Sequence, residues 1–186
     1  MPDLRQATLA DARNLARIAE LTFRETFAID NTAVNLDLYC RNHYGEAQQA
    51  REISDPAMLT FLYEKNDEKH GDKGNRKESD KGGELAGFAQ LRWGNPPECI
   101  VASKPGELQR LYVLERWHGQ GVASELMQAS IKAMQQRGFD CLWLGVWERN
   151  FRALAFYKKV GFVAVGEHVF HLGTSAQRDL LMARPV

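Results

Sequence analysis

A chain of 186 residues is long enough for one domain with a sizeable core. Its 24 basic and 24 acidic side chains cancel to zero formal charge, which argues against nucleic acid or an anionic membrane as the main partner. Cys40, Cys99 and Cys141 are widely spaced and form no CxxC pair, a pattern that fits a reduced, cytoplasmic compartment. The opening MPDLRQATLADARN lacks the apolar core of a secretory leader, so no signal peptide is expected, and no stretch approaches the ~18 apolar residues of a membrane span.

Residues 4–7 read as a short first strand. Thr8 and Asp11 form a capping pattern for a helix whose inward stripe is Leu15, Ile18, Ala19 and Thr22, and which ends near Phe27. A second helix is expected over 34–53, ended by Asp55-Pro56. Residues 58–63 form a strand pattern. Residues 64–83 carry six basic and six acidic groups and no aliphatic or aromatic side chain, so they read as a solvated hairpin insertion. Residues 85–93 resume as a strand, with Gly87 a candidate bulge. A strand over 107–113 precedes a glycine-containing loop and a helix whose buried stripe is Val122, Leu126, Met127, Ser130, Ala133 and Met134, closed by Gly138. Residues 141–147 are an apolar strand suited to burial on both faces. Asn150 caps a short helix over 151–160, and strands over 162–172 and 179–183 finish the chain. There is no internal repeat. The order is that of a single mixed α/β (α+β) domain over residues 1–186, with the insertion at 64–83.

The stretch 107–137 concentrates the chemistry. Backbone N–H groups of His118, Gly119, Gln120, Gly121, Val122 and Ala123, together with the positive end of the following helix, converge where a phosphate would fit. A dinucleotide fingerprint wants a third glycine where Ser124 stands, and Asp140 follows a helix rather than a second strand. A GxxxxGK[ST] run is absent. Glycines that merely begin a helix are the plainer alternative. His168 and His171 lie three apart on a strand and so face opposite sides, which speaks against a metal site.

Residues 116–123, Arg-Trp-His-Gly-Gln-Gly-Val-Ala, resemble the Gln/Arg-x-x-Gly-x-Gly/Ala loop of the Gcn5-related N-acetyltransferases, the GNAT superfamily. LQRLYVLERWHGQGVASELM resembles the strand–loop–helix core of that family. CLWLGVWERNFRALAFYKKVGF resembles its next strand and helix, ending in N-x-x-A-x-x-F-Y-x-K-x-G-F, and Leu4-Arg5-Gln6-Ala7-Thr8 looks like openings common there. LWLGVWERN, AFYKKVGF and the late DLLMA are also similar to the bacterial Pai-type spermine/spermidine acetyltransferases.

The resemblance implies a mostly antiparallel sheet of six to seven strands flanked by about four helices, with a splayed pair of parallel strands. It implies acetyl-CoA as co-substrate, no metal, and direct transfer of acetyl to a primary amine of a small molecule, a polyamine being one candidate. Protein N-terminal or lysine acetylation and a non-catalytic acyl-CoA-binding role are the alternatives, and a homodimer is an open expectation. By the same resemblance, the loop holds the coenzyme pyrophosphate, with Arg116 and Lys159 as charged contacts. The strand end Leu111-Tyr112-Val113 receives the pantetheine amides, and the Val113 N–H faces the acetyl carbonyl as oxyanion donor. Tyr157, on one helix face with Ala153 and Phe156, is the general acid for the thiolate, and Asn150 contacts the pantetheine. Glu107, read as sharing a strand face with Gln109, Leu111 and Val113, is the candidate general base. Phe23, Glu25 and Phe27, at the end of the first helix near Glu20 and Arg24, are the candidate acceptor contacts.

Overall fold

The computed structural model describes residues 3–65 and 84–186. Its seven strands are β1 (Asp3–Gln6), β2 (Met58–Lys65), β3 (Glu84–Arg92), β4 (Pro105–Val113), β5 (Cys141–Trp147), β6 (Val163–Leu172) and β7 (Ser175–Pro185). They form one sheet in the order β1-β2-β3-β4-β5-β7-β6, in which only β4 and β5 run parallel. Five helices cover it: α1 (Ala12–Phe27), α2 (Ala33–His43), α3 (Glu46–Ser54), α4 (Val122–Gln136) and α5 (Phe151–Lys159). The mixed, mostly antiparallel architecture matches the expectation, with one helix more.

The extra helix arises where the expected 34–53 segment breaks. Tyr44 leaves the helix to be buried at 3 % exposure, and Gly45 takes an extended conformation as N-cap of α3. The Thr8–Asp11 capping box forms, but it caps a short 3-10 turn, Leu9–Asp11, that runs into α1. β2 extends through Lys65 and so includes the first two residues of the predicted insertion; 66–83 lie outside the described residues. The irregularity expected at Gly87 falls beside it, where Tyr63 pairs with Gly87 and Glu64 with Leu85, leaving Ala86 bulged.

Each sheet face carries its own core. On one side Val122, Leu126, Met127 and Met134 of α4, with Leu154 and Tyr157 of α5, pack on Leu91, Leu108, Leu142 and Leu144. On the other, Leu15, Ile18 and Phe23 of α1 and Leu36 of α2 pack on Leu62 and Phe88. Each fully buried Leu, Met or Phe contributes roughly 1.5–3 kcal/mol, so the two helical layers are held by apolar burial first. The stripe predicted for α4 is its buried face.

Two features of β4 position the site. It pairs with β5 only at Pro105↔Cys141, Gly106↔Leu142 and Glu107↔Trp143, after which the strands part. Against β3 its register jumps from Leu91↔Leu108 to Gln90↔Arg110, so Gln109 is a bulge. An extra residue reverses the alternation of faces. Leu108, Leu111 and Val113 consequently share the α4 side, whereas Arg110 and Tyr112 face α1 and α3. Glu107 pairs across the strands with Arg92, on the side of Phe88 and Gln90. It does not share a face with Leu111 and Val113, because the bulge intervenes.

Behind the bulge lies a buried polar cluster. Arg110 Nη1 donates to Glu52 Oε2 and to Gln90 Oε1, both at 2.6 Å, and its guanidinium stands 5.1 Å from the centre of the Tyr44 ring. Arg110 and Glu52 side chains are 6 % and 8 % exposed, so neither charge has water to fall back on. Removing one partner of a buried pair costs more than removing both. Arg110→Met is expected to lower the unfolding free energy by about 3–5 kcal/mol, and Arg110→Met with Glu52→Leu to recover most of that loss. Urea denaturation of the three proteins measures both; equal stability of single and double variants would contradict the buried-pair account.

Candidate active site

The end of β4, the loop after it, the start of α4 and one face of α5 line a single cleft of about 1390 Å³. The loop begins with a 3-10 turn, Glu115–Trp117, then passes through Gly119 at φ 74° and Gly121 at φ 86°, the N-cap of α4. Only glycine adopts such angles without strain. Among the described residues, the N–H groups of Gly121, Val122, Ala123 and Ser124 have no protein acceptor, as the first turn of a helix requires. They and the helix dipole make a donor set for an anion. The His118 N–H is not part of it, because it donates to Glu115 O at 3.0 Å. Arg116 also points elsewhere: its side chain pairs with Glu84 of β3. Gln120 accepts from Lys65 and donates to Arg116 O, and Val122 is buried in the core, so these two offer backbone only.

The parted strands supply a second donor set. Leu114 N–H donates to Ala86 O at 2.9 Å, toward β3. Alternation along a strand then directs the N–H and C=O of Val113 and Leu111 toward the gap that β5 leaves. The Val113 carbonyl is held by His118 Nε2, which donates to it at 2.8 Å, while Arg152 Nη1 of α5 donates to His118 Nδ1 at 2.7 Å. A guanidinium only donates and a carbonyl only accepts, so these partners fix the imidazole proton on Nε2. Neither His118 as a side chain nor Arg152 was singled out in the sequence, where only the loop backbone carried a signal.

Tyr157 of α5 faces the same cleft. It is buried against Phe156 and Phe162, with ring centres 5.5 and 5.7 Å away at interplanar angles of 62° and 64°. Burial holds its hydroxyl well above the usual tyrosine range, so the proton stays on at neutral pH. Asn150 caps α5 by accepting from Ala153 N at 3.2 Å, and Ala153, Phe156 and Lys159 also line the cleft. Glu107 lines it too, but Arg92 holds its carboxylate with two bonds, of 2.5 and 3.2 Å. Of the three α1 candidates, Phe23 and Phe27 reach the cleft, with Thr26 between them; Glu25 instead accepts from the Glu115 N–H at 3.2 Å.

The far wall is made by Trp147, His168, Phe170, Gln177 and Asp179, from β5, β6 and β7. Burial pushes the Asp179 carboxyl up to about 6, partly offset by His168 nearby. A carboxyl whose folded pKa exceeds its unfolded value stabilises the fold below the unfolded pKa, and that contribution is lost as pH rises through the folded pKa. The window here runs from about pH 4 to 6. Asp179→Asn stays neutral throughout, so its stability relative to the parent should rise across that window by roughly 3 kcal/mol. Melting curves at pH 4, 5, 6 and 7 read the difference, and a constant offset would show that the carboxyl is not desolvated.

The Acetyltransferase (GNAT) family profile matches residues 36–162, more than half of the chain. An uncharacterized N-acetyltransferase of Lactobacillus delbrueckii subsp. lactis is 27% identical over 179 residues, 96% of this chain and 94% of that protein. A spermine/spermidine N(1)-acetyltransferase of Bacillus subtilis is 31% identical over 93 residues, 48% of this chain and 59% of that protein. The crystal structure of the PaiA N-acetyltransferase of Thermoplasma acidophilum in complex with coenzyme A superposes with a TM-score of 0.73 at 20% identity, covering 100% of this chain and 99% of that one. A cleft built from a parted parallel strand pair and an anion-binding helix start is thus found in a chain that belongs to the GNAT family of acetyltransferases, enzymes that use acetyl-CoA.

Proposed function

We propose that this N-acetyltransferase passes acetyl from acetyl-CoA to the primary amine of a small molecule, by direct attack while both substrates are bound. The observation that carries the reading is the meeting, in one cleft, of the open β4 edge, the unpaired N–H groups of Gly121 to Ser124 and the Tyr157 side chain. The acceptor class we favour is a polyamine-like cation. The motif likeness to spermine/spermidine acetyltransferases supports it, as does an acceptor wall that carries Trp147, Phe170 and the Asp179 carboxyl.

Each protein group has a limited task, because a thioester is already activated. The loop amides and α4 hold the pyrophosphate, and the gap-facing amides of Leu111 and Val113 hold the pantetheine arm as an added strand would. Val113 N–H donates to the acetyl carbonyl oxygen as it gains charge. Tyr157, protonated at neutral pH, gives its proton to the departing sulfur. Arg92 occupies the Glu107 carboxylate, so proton removal from the amine through water fits this site better than direct abstraction by Glu107.

Tyr157→Phe is expected to lower kcat by about 10²- to 10⁴-fold while leaving the dissociation constant for coenzyme A within about threefold. Thiol release with a panel of spermidine, amino acids and short peptides, paired with calorimetry for the coenzyme, measures both quantities. An undiminished kcat would remove Tyr157 from the acid role. Gly121→Val places a β-branched side chain at φ 86°, where even an ordinary residue costs about 1–2 kcal/mol. Coenzyme A should then bind roughly tenfold more weakly or worse, and parental affinity in that variant would contradict the loop assignment.

A further inference from the structure

The cleft contains polar groups that the transfer chemistry leaves unused, among them Gln109 Oε1 on β4, buried without a partner among the described residues, and a pair of such oxygens that lie together on β7. Asp179 Oδ1 and Gln177 Oε1 are buried and, among the described residues, accept no hydrogen bond. The two side chains are two apart on one strand and therefore share a face. The Gln177 oxygen is a genuine acceptor. Asn31 Nδ2 donates to Phe27 O at 3.0 Å, which turns the Asn31 oxygen toward Gln177, whose Nε2 donates to it at 2.6 Å. Asp179 Oδ2 lies 3.8 Å from His168 Nε2, within ion-pair range but beyond a hydrogen bond.

Gly145 supplies the floor. A Cβ there would stand 3.3 Å from His168 Nε2 and 3.6 Å from Asp179 Oδ2, so the missing side chain leaves these groups uncovered. Gly145 is two residues beyond Trp143, the last β5 residue paired with β4, which opens the floor onto the gap between those strands. Aromatic rings stand directly across the strands: Trp147 pairs with Asp179 and Phe170 with Gln177. Behind them Phe27 is 5.8 Å from Trp147, and Tyr39 is 5.5 Å from Phe170.

Two buried oxygens without donors, beside aromatic faces, select a positively charged group with several N–H bonds. A carboxylate or phosphate would meet like charge at Asp179, and an apolar group would leave both oxygens unpaired. We propose that Asp179 and Gln177, walled by Trp147 and Phe170, form the subsite that binds the ammonium group of a cationic amine acceptor. The assignment of that ammonium to an acceptor rests on the acetyltransferase reading; the subsite itself can be read without turnover. The raised Asp179 carboxyl agrees with a charge buried in wait of a cation.

Calorimetric titration of spermidine, n-hexylamine and lysine amide into the protein saturated with coenzyme A tests the subsite. Saturable binding of at least one of them is expected, weakened about tenfold or more by Asp179→Asn and several-fold by Gln177→Leu, with unchanged affinity for coenzyme A. In thiol-release assays the same variants should raise KM for the amine in proportion, with little change in kcat. Asp179→Asn removes a buried charge, so melting curves should show a folded protein; Gln177→Leu is the second variant, on a different side chain. Binding by none of the three amines, or undiminished binding in Asp179→Asn, overturns the proposal. Asp179-dependent binding with turnover of no amine would uphold the subsite and count against the acceptor reading of the enzyme.

Discussion

The parting of β4 from β5 is the constraint on which the rest of the molecule depends. A sheet gains from each ladder bond it completes, and unpaired backbone groups in its middle are costly unless something else answers them. Here two central strands share only three residue pairs. The gap is not a frayed end, because β3 pairs with β4 through Val113 on one side and β7 pairs with all of β5 on the other. Both strands are thus fixed by antiparallel neighbours while their facing edges stay apart. A wedge between them must bring its own hydrogen bonds, which is what an extended chain of amides does.

The bulge at Gln109 gives the parting its geometry. An inserted residue bends a strand and raises its twist, and it falls just past the last β4–β5 pair. By reversing the alternation it also sends Arg110 into the α1–α3 layer, where Glu52 and Gln90 hold it. A cation at that depth is tolerable only with those partners, and with them it anchors the strand beside the gap. On the other flank, the run from Arg152 through His118 to the Val113 carbonyl ties α5 to the strand end. The helix that carries Tyr157 is therefore registered against the amide at the gap by hydrogen bonds as well as by apolar packing.

Much of the scaffold was legible because it depends on local periodicity. The α4 stripe of Val122, Leu126, Met127, Ser130, Ala133 and Met134, the bounds of β5 and the cap at Asn150 follow from patterns within one turn or one strand. The break at Tyr44 was read through because helical spacing continues past it; Gly45, extended as the N-cap of α3, marks the break, and burial of the Tyr44 ring completes it. The Gln109 bulge was not legible: no glycine marks it, and strict alternation placed Glu107 on the face of Val113. The same slip explains why Glu107 read as sharing a face with Val113; it lines the cleft from the other face, its carboxylate held by Arg92. Arg116, a loop ligand by resemblance, pairs its side chain with Glu84, distant in sequence.

The two halves of the cleft differ in how they are written. The anion-binding half uses backbone amides that are contiguous in the chain, so glycines at fixed spacing report it directly. The opposite wall is assembled from α1, β5, β6 and β7 by strand register, with Trp147 meeting Asp179 and Phe170 meeting Gln177 only because β7 lies between β5 and β6. Such a set has no linear spacing, and a shift of one residue in either ladder would send half of it to the other face. The zero net charge of the chain therefore conceals an ordered polarity. Amide donors and the positive end of α4 lie on one side of the gap, and the Asp179 carboxyl, with one oxygen unbonded among the described residues, lies on the other. The parted strands lie between the two.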